Sequence, residues 1–236
     1  MLVPFAIGCD GIGQFGAPIT QPRARECEGE LIREAVREIA RLGAVFVHTA
    51  VEPGSVLEAT LVKAGFSAGS LMLDMSMPAP LAAPPAEGRW ISYDTSRRKL
   101  FARAVRGTLE GSRDAVEVPV CADDEAMMKA FEERGDWLGE DFALFEQDTA
   151  PAGVILLVMA GDALEIVYLG VLPTYRGRGI GKALGRRALT RAVARGAHRL
   201  NVTVDSANAP ALTIYRRMGF SERRAVRIYY AAKKIF

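Results

Sequence analysis

Glycines and basic residues alternate in a short segment between a predicted strand and a predicted helix. The segment is Arg176-Gly-Arg-Gly-Ile-Gly-Lys182. The apolar run over 164–171 predicts the strand, and the pattern over 179–195 predicts the helix. Glycine lets the backbone approach an anion closely, and a helix start offers free N–H groups and the positive end of a dipole. A diphosphate site is one interpretation of this pattern, and a glycine-rich helix cap is the other.

The charge around this segment is one-sided. Residues 170–204 contain no Asp or Glu, but they contain eight basic residues: Arg176, Arg178, Lys182, Arg186, Arg187, Arg191, Arg195 and Arg199. We therefore expect an anionic group nearby. The net charge of the whole chain is only +2, which does not favour a nucleic-acid partner. The arginines after Lys182 are interpreted as a solvated helix face.

Composition limits the class of protein. Half of the 236 residues are hydrophobic, and no apolar run approaches the roughly 18 residues of a membrane span. The first residues, 1–14, lack the basic start of a signal peptide, so we expect a cytoplasmic protein without a membrane partner. The three cysteines, Cys9, Cys27 and Cys121, have no metal-binding spacing, and His48 and His198 are isolated; neither a disulfide nor a metal site is predicted.

A proline-rich segment divides the chain. Residues 78–88 contain four prolines, which predict an extended linker between residues 1–77 and a domain over 89–236. The elements predicted in that domain are strands over 90–93, 141–146, 153–159, 164–171, 200–204 and 225–230, and helices over 96–109, 123–134, 179–195 and 210–218. Ser96 is the predicted N-cap of the first helix. This order predicts an α/β fold with a mixed sheet.

Two stretches of the N-terminal half are similar to stretches of this domain. Residues 30–43 align with 183–196 at an offset of 153, and residues 57–66 align with 211–220 at an offset of 154. We therefore predict that residues 1–77 are a diverged, shortened copy of the domain's second half. The alternative is chance recurrence of helix, strand, helix and Gly-Phe. The nearby 11–16 segment has dinucleotide-binding glycine spacing, but Pro18 argues against a helix there, so that interpretation is rejected.

Two motifs resemble the GNAT superfamily of acetyltransferases. The family's pyrophosphate loop corresponds to Arg176-x-x-Gly179-x-Gly181. Its second motif corresponds to Asn208-x-x-Ala211-x-x-x-Tyr215-x-x-x-Gly219-Phe220. The resemblance is clear over 141–236, whereas 89–140 fits in the order of elements only. It implies a mixed, mostly antiparallel sheet flanked by helices, with acetyl-CoA as co-substrate and no metal.

The resemblance also implies roles for individual residues. The implied acetyl-CoA contacts are Leu169, Gly170, Val171, Arg176, Gly177, Arg178, Gly179, Ile180, Gly181, Lys182 and Asn208. Tyr215 corresponds to the family's general acid, with a core tyrosine as the alternative; Glu165 is either the general base or a rim residue that holds substrate charge. By strand alternation, Glu165 is expected to share a face with Val167, Leu169 and Val171. Asn208 could also cap the helix that follows it.

The resemblance implies an N-acetyltransferase that transfers an acetyl group directly to an unidentified amine. The alternative is a non-catalytic CoA-binding regulatory or interaction module, and the oligomeric state is unknown. The N-terminal copy has Arg23-x-x-Glu26-x-Glu28 where the loop would stand, and Leu61 in place of Tyr215. It is therefore expected to bind no CoA and to act as a scaffold, so that each chain binds one CoA molecule.

Overall fold

A computed structural model describes residues 5–7, 12–16, 28–112, 114 and 123–231. The predictions that involve the three cysteines, Pro18, Arg23 and Glu26 lie outside the described residues. Within that part of the chain, no helix is long and apolar enough to cross a membrane.

The described residues form ten strands and six α-helices. The strands are β1 Phe5–Ile7, β2 Ile12–Phe15, β3 Phe46–Val51, β4 Ser67–Pro78, β5 Arg89–Ser92, β6 Phe142–Gln147, β7 Ala150–Ala160, β8 Ala163–Val171, β9 Arg199–Asp205 and β10 Ser221–Ala231. The helices are α1 Glu28–Arg41, α2 Val56–Lys63, α3 Arg98–Leu109, α4 Asp124–Glu132, α5 Ile180–Ala194 and α6 Ala209–Met218. Each element predicted after the linker is confirmed, with shifted ends.

The described residues divide into two compact units. The first contains the described residues up to Leu73 and those from Arg224 onward; the second contains 74–112, 114 and 123–223. Strands β4 and β10 therefore contribute residues to both units. The proline content predicts a boundary at 78–88, whereas the division lies inside β4. The proline-rich segment belongs to the second unit, where Ala79 N–H donates to the carbonyl of His198 (2.9 Å) and Thr190 Oγ1 donates to that of Pro84 (3.1 Å).

The sheet of the second unit has the strand order β4-β9-β8-β7-β6-β5. Strands β5 to β8 are antiparallel, and β8 and β9 are parallel, so the predicted mixed, mostly antiparallel sheet is confirmed. Residues 152–158 of β7 are all buried, as expected for a central strand covered on both faces. Helix α5 covers one face, where Ile180 and Leu184 approach Gly153, and α3 covers the other, where Thr108 approaches Gly170.

The sheet of the first unit has the order β1-β2-β3-β10-β4. Helices α1 and α2 pack on it through a buried cluster that includes Ile32, Val36 and Leu61. Strand β2 contains Gly13, where a Cβ atom would lie 2.5 Å from Cγ2 of Ile39. Gly13 therefore belongs to a strand packed against a helix, which agrees with the rejection of a dinucleotide loop.

The element order α1-β3-α2-β4 matches α5-β9-α6-β10. In the first unit β10 pairs antiparallel with β3, and in the second unit the end of β4 lies beside β9. Ser76 Oγ donates to Asn201 Oδ1 (2.8 Å), and Thr203 Oγ1 donates to Asp74 Oδ1 (2.7 Å). Each unit thus takes a strand from the other predicted repeat. This arrangement fits an internal duplication, which stays a prediction.

The start of α3 differs from the prediction. Ser96 is not its N-cap, because residues Thr95–Arg97 form a 3₁₀ turn that precedes the α-helix. The carboxylate of Asp94 accepts a hydrogen bond from Ser96 N–H (2.9 Å) and so caps that turn. The next helix, α4, begins after Asp123, whose carboxylate accepts the N–H groups of Glu125 and Ala126 at 3.2 Å.

Candidate functional site

The glycine loop leads into α5 through two left-handed residues. A 3₁₀ turn over Pro173–Tyr175 ends β8, and Gly177 and Gly179 follow with φ of +77° and +84°. Gly179 is the N-cap of α5. Other residues adopt this conformation at a cost of about 1–2 kcal/mol, so the backbone path explains both glycines.

The backbone N–H groups at this helix start are free. Lys182 and Ala183 donate to the carbonyl of Gly179, but the N–H groups of 177–181 have no acceptor among the described residues. A Cβ atom at Gly177 or Gly179 would have no atom within 4 Å, so open space lies beside the loop. Free amides at the positive end of a helix form a cradle for an anion such as a diphosphate.

Two other predicted contact residues are glycines for packing reasons. A Cβ atom at Gly181 would lie 2.7 Å from Cδ1 of Ile214 on α6. A Cβ atom at Gly170 would lie 2.4 Å from Oγ1 of Thr108 on α3. Substituting either glycine would therefore disturb helix packing, so neither position offers a clean test of ligand binding.

The Arg176 side chain is directed at protein carbonyls. Its Nε donates to Val171 (3.1 Å), and its Nη2 donates to Thr108 (2.9 Å) and Glu110 (2.7 Å). Its Nη1 lies 3.4 Å from the carbonyl of Gly111. The sequence predicts a cofactor contact for Arg176, but the structure shows its guanidinium joining the end of β8 to the C-terminal end of α3.

Other cations remain beside the loop. Arg178, Lys182 and Arg186 are exposed and form no ion pair within the described residues. The guanidinium of Arg178 lies over the ring of Tyr175, 5.4 Å from its centroid. A positive surface therefore adjoins the free N–H groups, and an anionic ligand would be attracted to both.

Acidic side chains of the protein itself supply part of the anionic charge that the basic stretch predicts. The carboxylate of Asp141, which is fully buried, accepts Nε of Arg191 at 2.8 Å and also bonds Arg195. Glu140 pairs with Arg191, and Asp136 pairs with Arg195. These acids lie before the acid-free stretch in sequence but fold onto α5. The cations available to a ligand are therefore those near the helix start.

A bulge interrupts β8 beside this loop. In the pairing with β7, Tyr168 lies opposite Leu156 and Ile166 lies opposite Leu157, so Val167 is an extra residue. The registered pairs with β9 end at the same place, with Ile166 opposite Val202. Beyond this point β8 continues to 171 and β9 to 205 without pairing, so the two parallel strands separate.

The separation exposes an edge of β8. Residues 169–171 have no registered partner in β9, so backbone groups on that side can bind an extended ligand. The carbonyl of Val171 is already bonded to Arg176. The open edge begins near the loop's free N–H groups, because only residues 172–176 separate β8 from Gly177.

The bulge also reverses the faces of β8. Residues opposite each other across an antiparallel pair share a face. Glu165 lies opposite Val158, and Tyr168 lies opposite Leu156, so these two β8 residues share the face covered by α3. Leu169 lies opposite Ile155 and Val171 lies opposite Gly153, on the other face, so the expectation that Glu165 shares a face with these two residues is wrong. Glu165 is half-buried and has no hydrogen-bond or ion-pair partner among the described residues.

Tyr215 lies on α6 and is only 5% exposed. Its ring packs against Phe220, with centroids 5.5 Å apart. Burial, and then the nearby charge of Asp114, raise the pKa of its hydroxyl well above the usual value. The hydroxyl therefore stays protonated at neutral pH and can serve as a proton donor.

The predicted cap of helix α6 is confirmed, since Asn208 Oδ1 accepts Ala211 N–H at 3.2 Å.

Sequence patterns do not indicate two further polar residues that the structure places at the site. Tyr168 shares a hydrogen bond with Thr108 Oγ1 (2.7 Å), and burial raises its pKa to about 12. Asp114, five residues after the end of α3, accepts the N–H of Asp205 on β9 at 2.8 Å. Tyr168 falls in a run that predicts only a strand, and Asp114 is far from its partner in sequence.

Comparison with known proteins gives a match to one family model. Residues 113–220 match the Acetyltransferase (GNAT) family model. Streptothricin acetyltransferase from Streptomyces lavendulae is 38% identical over 120 residues, which cover 44% of this chain and 61% of that protein. A mycothiol acetyltransferase from Clavibacter michiganensis subsp. michiganensis is 38% identical over 85 residues, 36% of this chain and 28% of that protein. The chain thus matches less than two thirds of either relative.

Solved structures show the same fold at low identity. A GCN5-related N-acetyltransferase from Sphaerobacter thermophilus aligns with a TM-score of 0.71 and 17% identity, covering 98% of this chain and 76% of that one. A tandem GNAT protein from the clavulanic acid biosynthesis pathway aligns with a TM-score of 0.60 and 13% identity, covering 94% and 75%. The predicted GNAT fold is therefore confirmed.

Proposed function

Because residues 113–220 match the GNAT acetyltransferase family model, we propose that this chain transfers an acetyl group from acetyl-CoA directly to the nitrogen of an amine. The observation that carries the proposal is the group of free N–H donors at 177–181, next to the separated ends of β8 and β9. The first feature suits a diphosphate, and the second suits an extended thioester arm.

The donor would bind along these two features. The N–H groups of Gly177 to Gly181 bind the diphosphate, while Arg178 and Lys182 add positive charge from solvent-exposed positions. The free edge over 169–171 binds the arm and directs a backbone N–H at the thioester oxygen. Asn208, at the start of α6, lies beside that arm. These contacts orient the acetyl carbon and polarise its carbonyl.

The transfer moves two protons and one acetyl group. The amine nitrogen attacks the thioester carbon, the carbon–sulfur bond breaks, and the sulfur leaves with its electron pair. Tyr215 donates its proton to that thiolate, and the nitrogen of the tetrahedral intermediate returns a proton to the phenolate. No acyl group is attached to the protein at any step. Proton transfer of this kind typically contributes 10²–10⁴-fold to the rate.

Glu165 is tested as a base separately. If it deprotonates the acceptor, Glu165→Gln suppresses the rise of activity with pH. If it only holds substrate charge at the rim, the variant changes KM and leaves the shape of the pH profile unaltered.

The alternative is a CoA-binding module that turns over no acceptor. Streptothricin, a polyamine, a lysine peptide and an arylamine form a suitable acceptor panel, with CoA release as the readout. If the protein binds CoA but no acceptor raises CoA release above the rate without protein, the non-catalytic module is favoured. CoA release that depends on at least one amine supports the acetyltransferase.

Calorimetric titration with acetyl-CoA should give one site per chain.

Gly179→Glu tests the loop directly, and Gly161→Glu is the matched control. Both positions have positive φ, +84° and +62°, and open space at Cβ, but Gly161 lies in the turn between β7 and β8. A carboxylate about 5 Å from a phosphate charge costs roughly 3 kcal/mol at an effective dielectric of about 20. Gly179→Glu should therefore weaken acetyl-CoA binding by roughly 100-fold, with Gly161→Glu unchanged. Equal affinity in both variants would remove the basis of the proposal.

A cytoplasmic location and the absence of a nucleic-acid partner complete the proposal. The exposed cations Arg178, Lys182 and Arg186 of the loop and of α5 lie at the start of that helix, where a small anionic ligand accounts for them. Steep salt dependence of RNA or DNA binding would contradict this part.

A further inference from the structure

A segment of the second unit crosses the opening between β8 and β9. It runs from Thr108 to Asp114 and is described except for Arg113. At one end Thr108 bonds the hydroxyl of Tyr168 on β8 (2.7 Å). At the other end the Asp114 carboxylate accepts the N–H of Asp205 on β9 (2.8 Å). The crossing segment therefore spans the strands where they have ceased to pair.

Hydrogen bonds hold the described residues of this segment in place. Arg176 donates to the carbonyls of Thr108 and Glu110, and its Nη1 lies near that of Gly111. Ser112 Oγ accepts the N–H of Asp114 (3.2 Å). These bonds hold the Asp114 carboxylate in one place, as a group that must meet a reacting atom requires.

Three titratable groups interact with this carboxylate. They are Asp205, Tyr168 and Tyr215. The Asp114 charge helps to raise the pKa of both tyrosine hydroxyls, so it lies near each of them. Burial of the carboxylate, opposed by the Asp205 N–H, raises the pKa of Asp114 itself. Asp114 as a residue remains exposed, which leaves a route from solvent.

One carboxylate oxygen is available to a ligand. Oδ1 of Asp114 accepts the Asp205 N–H, whereas Oδ2 has no donor in the described part of the chain. Glu165 is placed differently: it lies opposite Asn201 and Val158, before the bulge, where β8 and β9 are still paired. Of these two carboxylates, Asp114 is the one at the opening.

We propose that Asp114 binds the acceptor as an ammonium ion and accepts its proton, so that the acceptor is an aliphatic amine that is cationic at neutral pH. This inference rests on the proposed acetyl transfer. The ammonium donates one proton to Oδ2, giving the neutral amine and the carboxylic acid. The amine then attacks the acetyl carbon, and Tyr215 protonates the departing sulfur. After product release, the acid returns its proton to water.

Asp114→Asn is the test, because asparagine keeps an oxygen for the Asp205 N–H and loses only the charge. Asp162→Asn is the control, since Asp162 is an exposed carboxylate in the turn after β7. We expect kcat/KM for an aliphatic amine to fall by roughly 100-fold in Asp114→Asn. An arylamine, which is neutral at pH 7, should lose only a few-fold. Asp162→Asn should match the wild type with both acceptors.

Two readouts separate this role from a structural one. The acidic limb of the kcat/KM pH profile should disappear in Asp114→Asn. Calorimetry with the enzyme–CoA complex should show weaker binding of the aliphatic amine, while binding of acetyl-CoA is unchanged. The Asp114 role alone is overturned if the wild type binds acetyl-CoA and transfers acetyl groups, and Asp114→Asn has the same pH profile and the same affinity for the amine. A wild type that neither binds acetyl-CoA nor releases CoA overturns both proposals.

Discussion

Arg176 allows a test that requires no ligand. The resemblance implies that this side chain contacts CoA, whereas the structure directs its guanidinium at carbonyls of α3 and β8. Arg176→Ala should therefore destabilise the protein without CoA present. Arg178→Ala is the matched control, because Arg178 lies two residues away, is exposed over the ring of Tyr175, and forms no hydrogen bond or ion pair among the described residues.

The magnitude follows from the bonds that are lost. The bond to Thr108 is partly buried (2.9 Å), so its carbonyl would lose a charged donor that water replaces poorly. A hydrogen bond to a charged group is worth about 1.5–3 kcal/mol. The carbonyls of Val171 and Glu110 are exposed and regain water, so they add little. A total of about 2–3 kcal/mol lowers Tm by roughly 5–10 °C in a chain of this size.

Thermal unfolding without CoA, followed by calorimetric titration with acetyl-CoA, is the assay. Arg176→Lys should recover little stability, because an ammonium cannot span carbonyls on two elements. Arg178→Ala should leave Tm within about 1–2 °C, as expected for a surface change, and should weaken acetyl-CoA binding in a salt-dependent way. An Arg176→Ala variant with wild-type Tm and a loss of affinity equal to that of Arg178→Ala would refute the structural role.

Three further predictions concern other parts of the chain. Tyr215→Phe should lower kcat by about 10–100-fold and leave acetyl-CoA affinity unchanged; equal losses in both would indicate that Tyr215 only packs. Folded Tyr168 holds its proton more tightly than the unfolded chain, so its contribution to stability is complete below pH 10 and is lost as the pH rises through about 12. Tyr168→Phe should flatten the decline in unfolding free energy over that range, and an unchanged slope would contradict the assignment. Residues 89–236 alone lack β4, which lies beside β9, and should be poorly soluble or inactive; a well-folded, active fragment would show that this strand is dispensable.

In the second unit, the sequence predicts where strands and helices lie better than it predicts which side chains share a face of the sheet. Apolar periodicity located β7, β8 and α5 because long, regular patterns depend mainly on local composition. The bulge at Val167 depends on pairing with β7, and no local pattern marks it, so the face of Glu165 was predicted wrongly. Strand β4 was missed, although Leu73, Met75 and Met77 alternate with polar residues.

The sequence motifs predict which residues form the glycine loop and which residue caps helix α6. Gly177 and Gly179 lie at the loop that the glycine spacing indicates, and Asn208 caps the helix that follows it. Spacing could not show where the Arg176 guanidinium points, since its acceptors Thr108, Glu110 and Gly111 lie more than 60 residues earlier in the chain. Asp114 was missed for the same reason: it meets Asp205 across 91 residues, and only the tertiary fold brings them together.

The most direct test of the central claim is a quenched single turnover with acetyl-CoA that carries an isotopic label in its acetyl group. The acceptor is an aliphatic amine that the panel has identified, and mass spectrometry follows the label in the protein, the amine and free acetate. We predict that the label passes from acetyl-CoA to the amine nitrogen, with none on the protein at any time. Label on the protein, or release as acetate at the same rate with and without the amine, would contradict direct transfer.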